Sequence, residues 1–187
     1  MSADQGQPGA DLPATRVLLM GMMGSGKTTV GHAVAEVTGW PYLDNDELVR
    51  RASGVDTRAV LDVRGVGELR AVESRALQAA LELPPPLIAS VAGGVVDVPA
   101  DLERLTAASG AYVVWLRARI DTLVERVGSG EDRPWLQPDP RTALERLYAG
   151  RESRYAEAAT LIVDVDDVSP AEVAARIVEG LRAPRDA

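Results

Sequence analysis

The sequence predicts an α/β fold: a five-stranded parallel sheet with helices on both faces, three layers (α/β/α) in all. Three observations predict it. Short apolar runs of β type alternate with longer helical patterns from residue 16 onward. Those runs are brief and continuously apolar, as strands buried on both faces are. The first run also ends in a Gly-rich turn that opens directly into a helical pattern. In order, strands are expected at 16–20, 41–43, 87–91, 111–116 and 160–165. Helices are expected at 27–38, 46–52, 58–63, 67–83, 99–108, 119–127, 140–158 and 170–181. Residues 1–15 are rich in Gly, Pro, Asp and Gln, with neither a basic stretch nor an apolar run. They read as a disordered lead-in and not as a secretion signal. Residues 183–187 read as a tail, leaving 16–182 as a single domain without internal repeats. Segment 128–140 (GSGEDRPWLQPDP) is polar, Gly/Pro-rich and long for a connection, which suits a mobile functional loop.

Composition removes several function classes. The 187 residues carry 28 acidic and 20 basic side chains, a formal charge of −8. That balance argues against a general binder of nucleic acid or anionic membrane, whose affinity comes from basic surface. The absence of Cys excludes disulfide scaffolds and Cys-ligated metals and suits a reducing compartment. The single His32 excludes a His-cluster metal site, and its place within the first helical pattern suits a structural role. No apolar run approaches the ~20 residues that span a bilayer. A cytoplasmic protein with neither nucleic-acid nor membrane partners is expected. Of the 20 basic residues 19 are Arg; the exception, Lys27, lies in the Gly-rich turn.

That turn, Gly21-Met22-Met23-Gly24-Ser25-Gly26-Lys27-Thr28, matches G-x-x-x-x-G-K-[ST] in full, after a strand and before a helix. Gly24 and Gly26 let the backbone wrap a phosphate with its N–H groups inward. The helix start adds the positive end of its dipole. Lys27 supplies a slim point charge for the β/γ oxygens, where a bulkier Arg fork would collide with the turn. The Thr28 hydroxyl can ligate Mg²⁺. A nucleoside triphosphate, with Gly21, Gly24, Ser25, Gly26, Lys27, Thr28 and Thr29 as contacts, is the expected ligand. After the second strand come Asp44-Asn45-Asp46, two carboxylates at the sheet edge where open α/β sheets bind ligands. One can hold Mg²⁺ through water while the other accepts a proton from an attacking hydroxyl. The plainer alternative is a polar strand end with Asp46 capping the next helix.

These motifs resemble those of the shikimate kinase family, within the nucleoside-monophosphate-kinase-like P-loop group, from about residue 16 to residue 181. The D-x-D of that family corresponds to Asp44 and Asp46. Its G-E-x-x-F-R-x-x-E stretch appears as Gly65-Val66-Gly67-Glu68-Leu69-Arg70-Ala71-Val72-Glu73, keeping Arg70. Its Gly triplet appears as Ala92-Gly93-Gly94, preceded by Ser90, its lid motif as Arg133-Pro134-Trp135-Leu136, and its R-x-x-L-Y as Arg151 to Tyr155. The resemblance implies ATP and Mg²⁺ as cofactors and a carboxylate-bearing small-molecule acceptor, shikimate converted to shikimate 3-phosphate being the leading case. It implies metal contacts from Thr28 and Asp44, and substrate contacts from Asp46, Arg70, Gly93, Gly94 and Arg151. Catalytic roles fall to Lys27, Asp46 and Arg133, and adenine stacking to Arg126. Residues 46–83 become substrate-binding helices and 128–140 a lid; a kinase of this size that closes over its substrates is expected to be a monomer.

The residue chemistry agrees: a planar guanidinium fork suits a carboxylate, and Arg133 on a lid suits charge developing on a transferred phosphoryl group. Glu73, three residues after Arg70, is placed to orient it. Departures gather on the acceptor side. Leu61 and Leu69 stand for two phenylalanines, Ala92 for the first Gly of the triplet, Arg50 and Val66 for glutamates, and Arg154 for a Leu. Two other readings remain: a kinase of another polyhydroxylated acid such as gluconate, or a nucleotide-binding module without transfer activity. Against gluconate, no His follows the acidic pair as it does in that family; retention of the reaction residues speaks against the module.

Overall fold

The computed structural model describes residues 12, 13, 15–54, 57–128 and 136–183, without the side chains of residues 58, 62 and 64. Five strands form one parallel sheet in the order β2-β3-β1-β4-β5. They are β1 (Arg16–Met20), β2 (Tyr42–Leu43), β3 (Leu87–Ser90), β4 (Ala111–Arg117) and β5 (Leu161–Asp164). The central strands meet the expectation of burial on both faces, since β3 is buried throughout and β1 and β4 in all but one residue each. The edge strand β5 departs from it, with Ile162 and Asp164 exposed, because it has a strand on one side only. In register, Leu19 lies beside Ser90 and Met20 beside Trp115, so the chain leaves β1, β3 and β4 at one common edge.

The helices are α1 (Lys27–Thr38), α2 (Asn45–Ser53), α3 (Thr57–Glu82), α4 (Pro99–Thr106), α5 (Ile120–Val127), α6 (Pro140–Ala158) and α7 (Pro170–Arg182). Expected boundaries hold within two residues, apart from 58–63 and 67–83. Those two patterns fall within α3, which breaks at Gly65, where φ is 76°. Three helices open on proline, whose missing N–H costs nothing in a first turn. Helix α7 adds a full capping box between Ser169 and Glu172. The buried stripe of α3 (Leu69, Val72, Ala76, Leu77, Ala80) recurs at three- and four-residue steps and faces the core.

Helices α1 and α7 pack together on one side of the sheet, α4, α5 and α6 cover the other, and α2 packs on α3 beyond β2. Because β1 lies between β3 and β4, connections from its neighbourhood leave in opposite directions. That reversal opens a crevice at the C-terminal strand edge.

A short 3₁₀ turn, Val95–Asp97, follows β3 and had no counterpart in the sequence pattern. Order also begins upstream of residue 16: Leu12 is buried, and the Thr15 hydroxyl donates to the Gly110 carbonyl at 2.6 Å. Residues 1–11 and 14 of the expected lead-in, 129–135 of the expected lid and 184–187 of the tail lie outside the described residues. Among the described residues no helix is long and apolar enough to cross a membrane.

Candidate functional site

The Gly-rich turn starts where β1 ends. Gly24 and Gly26 have φ of 82° and 89°, a region that side chains with a Cβ rarely adopt, so the turn requires glycine there. Gly26 is the N-cap of α1, which makes Lys27 and Thr28 its first two residues. The first N–H groups of a helix have no intrahelical partner and carry the positive dipole end. The Ser25 hydroxyl is buried and, among the described residues, has no hydrogen-bond partner. A buried polar atom of that kind costs stability unless a ligand satisfies it, and here it sits in a turn shaped for an anion. Lys27 Nζ donates to the Gly21 and Met22 carbonyls at 3.0 and 3.1 Å, arching over the turn. A phosphate chain fits this cradle.

Beside it lies a cavity of about 240 Å³ walled by Gly26, Thr29, Val30, Arg126 and Val173. Arg126 donates to the Gly24 carbonyl at 3.4 Å and to the Val165 carbonyl at 3.2 Å. This holds its planar cation where the phosphate turn meets an apolar wall, a setting suited to an aromatic base.

The acidic pair divides its work. Asp44 is the N-cap of α2 and accepts the Asp46 N–H at 3.1 Å. Its other oxygen accepts the hydroxyls of Thr28 (2.8 Å), Tyr42 (2.9 Å) and Ser90 (3.2 Å). Burial works against the Asp44 charge, but the Asp46 N–H and the three hydroxyls outweigh it and hold the carboxyl below its ordinary value. Burial, with the Asp44 charge beside it, pushes the Tyr42 phenol up to about 12. Thr28 and Asp44 thus present two hard oxygen donors in contact at the foot of the turn. Among the described residues no three His, Cys, Asp or Glu gather into a metal cage. This donor set fits Mg²⁺, which completes its octahedron with water and phosphate oxygens. Helix α2 is capped by Asp44, not by Asp46. Asp46 accepts the Thr57 hydroxyl at 2.8 Å and lines a second cavity.

The second cavity, about 400 Å³, lies over the C-terminal edge of β3. Lys27, Asp46 and Gly93 border it on the phosphate side, Leu61, Val66 and Leu69 supply an apolar wall, and Gly94, Arg70 and Arg151 close the other end. Gly93 is required by close approach, since a Cβ there would lie 2.7 Å from the Gly21 carbonyl oxygen, while the Arg70 guanidinium fills the space over Gly94. Arg70 pairs with Glu73, as their spacing predicts. Burial raises the Glu73 carboxyl above its ordinary value, with the Arg70 charge acting in opposition. The Arg151 side chain is only 4% exposed and binds Asp97 through Nε at 3.0 Å and Nη2 at 2.6 Å. Burial disfavours the Arg151 charge, yet its bonds to Asp97 raise the guanidinium's affinity for its proton. Tyr155, buried and stacked on Trp115, donates to the Gly93 carbonyl at 2.6 Å and fixes that wall.

Of the residues singled out in the sequence, Lys27, Asp46, Arg70, Gly93, Gly94 and Arg151 meet at the second cavity. Arg133 lies outside the described residues. Ala92 has no positive φ, so its methyl lines the cavity without strain. Arg50 pairs with Glu47 on an exposed helix face away from the cavity. His32 packs edge-on against the Tyr42 ring. Sequence reasoning missed Tyr42, Asp97 and Arg146, the last a further cation on the wall of the second cavity. Tyr42 had a signal: two residues before Asp44, it shares a face with it on an extended chain. Asp97 had none, because its partner Arg151 is 54 residues away.

A family model described as shikimate kinase matches residues 23–182. A shikimate kinase of Psychrobacter sp. is 32% identical over 167 residues, covering 89% of this chain and 91% of the relative. A shikimate kinase of Streptomyces avermitilis is 36% identical over 166 residues, covering 89% of this chain and 95% of the relative. Among solved structures, a shikimate kinase from Acinetobacter baumannii in complex with shikimate superimposes with a TM-score of 0.83 at 26% identity. It covers 91% of this chain and 94% of that one.

Proposed function

The chain belongs to the shikimate kinase family, and from that premise we propose that it transfers the γ-phosphoryl group of ATP to the 3-hydroxyl of shikimate. Members of the family are ATP-dependent, Mg²⁺-requiring phosphotransferases acting on a hydroxyl. The observation that carries the choice of site is that Lys27, the cation of the phosphate turn, also borders the cavity holding Asp46, Arg70 and Arg151. Donor and acceptor therefore face one space.

In this reading the triphosphate lies on the N–H groups of Gly24 to Thr29, with Ser25 donating to it and Arg126 stacked on the base. Thr28 and Asp44 would hold Mg²⁺, which would supply positive charge to the phosphates. Lys27 exchanges the carbonyls of Gly21 and Met22 for γ-phosphoryl oxygens. The acceptor carboxylate binds at Arg70 and Arg151, its ring packs against Leu61 and Leu69, and Gly93 and Gly94 let it approach the backbone. Asp46 accepts the hydroxyl proton as the oxygen attacks phosphorus in line. The bond to the β-bridging oxygen breaks and its electron pair leaves with ADP. Arg133, on the 128–140 lid, balances the transferring charge and closes the site against water. The enzyme is proposed to act as a cytoplasmic monomer; the net charge of −8 supports the further proposal that it has no nucleic-acid or anionic-membrane partner.

A coupled assay of ADP release across shikimate, quinate, gluconate and nucleoside monophosphates tests this. Turnover with shikimate well above the others is expected. A preference for gluconate or another acid, which the leucine-lined wall would then explain, replaces the acceptor. No turnover with any of them leaves a nucleotide-binding module.

A further inference from the structure

The far end of the acceptor cavity already contains a carboxylate. Asp97, the last residue of the 3₁₀ turn, lies against Arg151 with both oxygens within 3.1 Å of Nε, and one of them 2.6 Å from Nη2. The same oxygen is 3.4 Å from Arg70 Nη2, while Arg70 Nη1 is taken by Glu73. The third Arg151 nitrogen, Nη1, sits 3.8 Å from the Met22 sulfur. The edge of Arg151 best suited to a carboxylate, its two parallel N–H donors, is thus engaged by Asp97. With Arg154 beside Asp97 and Arg146 on the cavity wall the region stays cationic, so the limit on a bound carboxylate is geometric. The paired N–H edge of Arg151 becomes available to an acceptor carboxylate only when Asp97 moves.

The structure also shows where Asp97 can go. Its side chain is 31% exposed, and Arg154, three residues after Arg151 on α6 and 46% exposed, has Nη1 3.6 Å from Asp97 Oδ1. A side-chain rotation toward Arg154 would keep Asp97 paired while releasing the Arg151 edge.

We infer that Asp97 is a specificity-determining residue: its carboxylate competes with the acceptor's carboxylate for Arg151 and Arg70, and Arg154 receives it when the acceptor wins. The inference rests on the assignment of Arg70 and Arg151 as the acceptor's carboxylate partners. It accounts for Arg154 at a position where the family pattern has an apolar residue, since Asp97 gives the cation a partner there. Its consequence is a shallow preference for carboxylate acceptors, because part of the attraction is spent on displacing Asp97.

Equilibrium binding read by titration calorimetry separates this from the transfer reaction. Shikimate and its carboxamide are titrated into wild type, Asp97→Asn, Asp97→Ala and Arg154→Leu, each checked for folding by circular dichroism and thermal melting. Asp97→Asn keeps the side-chain shape and removes the charge, so it should bind shikimate roughly tenfold more tightly than wild type. Its affinity for the carboxamide should change little, which steepens the discrimination, and Asp97→Ala should move in the same direction. Arg154→Leu should weaken shikimate binding severalfold, and combining it with Asp97→Asn should abolish that loss. Weaker or unchanged shikimate binding by both Asp97 variants overturns the inference, because Asp97 would then only hold Arg151 in place. Tighter binding without phosphorylation by any variant would sustain it while refuting shikimate as the phosphoryl acceptor.

Discussion

The nucleotide side and the acceptor side of this molecule are built by different means. On the nucleotide side the chemistry is local: Gly24 to Thr29 are consecutive, and the backbone of one turn and one helix start supplies most of the donors. On the acceptor side it is distributed: Asp46, Arg70, the Gly94–Asp97 segment and Arg151 come from four places in the chain. A contiguous motif tolerates little, because each change distorts a turn that must fit a phosphate. An assembled cavity can drift one wall at a time, and its apolar wall holds Leu61, Val66 and Leu69 where the family pattern has phenylalanine or glutamate. Reaction type is fixed by the first and acceptor choice by the second.

Substitutions on the two sides should therefore fail differently. The largest effect is expected from Lys27→Ala, which removes the cation shared by both sides. Turnover should fall roughly 10³-fold, the scale for losing one preorganised donor at a developing charge, in steady-state assays at saturating substrates. Asp46→Asn should lower phosphate transfer roughly 10²-fold while ATP affinity by calorimetry stays close to wild type. Equal losses in both would remove Asp46 from the acceptor side. Arg70→Lys exchanges a fork for a point charge and should raise the acceptor KM about tenfold with little effect on the ATP KM. An unchanged acceptor KM would deny Arg70 its carboxylate contact.

How much of this could be read from residues alone follows the same division. The turn, Lys27, Thr28 and the acidic pair are legible because spacing along the chain sets their geometry. The strand order was not, since register and crossover come from packing. The partition between Asp44, tied to Thr28, and Asp46, turned to the second cavity, followed from the family resemblance and not from spacing. Arg70 with Glu73 was legible as a helical i, i+3 pair. Asp97 was not, because a 3₁₀ turn of three residues leaves no periodic trace and its partners lie 27 residues upstream and 54 downstream in sequence. Tyr42 illustrates the middle case, a hydroxyl whose use depends on Asp44 and Ser90 meeting at one strand edge.

Smaller effects sharpen the comparison. Asp44 is held below its ordinary carboxyl value, so what its charge contributes is present above the unfolded-state value and lost as pH falls through the depressed one. Tyr42→Phe removes one of the donors, and the acid limb of Mg²⁺-dependent turnover should move to higher pH; a limb that stays in place would show the phenol to be dispensable. Ser169→Ala breaks the α7 capping box away from both cavities. It should cost about 1 kcal/mol and lower the melting temperature by about 2–4 °C, with the acceptor KM unmoved.

The most direct test of a P-loop phosphate side serving a carboxylate-binding acceptor side is the product itself. Phosphorus and proton NMR of a reaction with ATP, Mg²⁺ and shikimate should show one ADP formed for each phosphate ester, with the ester on the 3-hydroxyl, and no ester with Asp46→Asn on the same time scale. ATP bound at the turn with no ester on shikimate, or an ester formed equally well by Asp46→Asn, would contradict it.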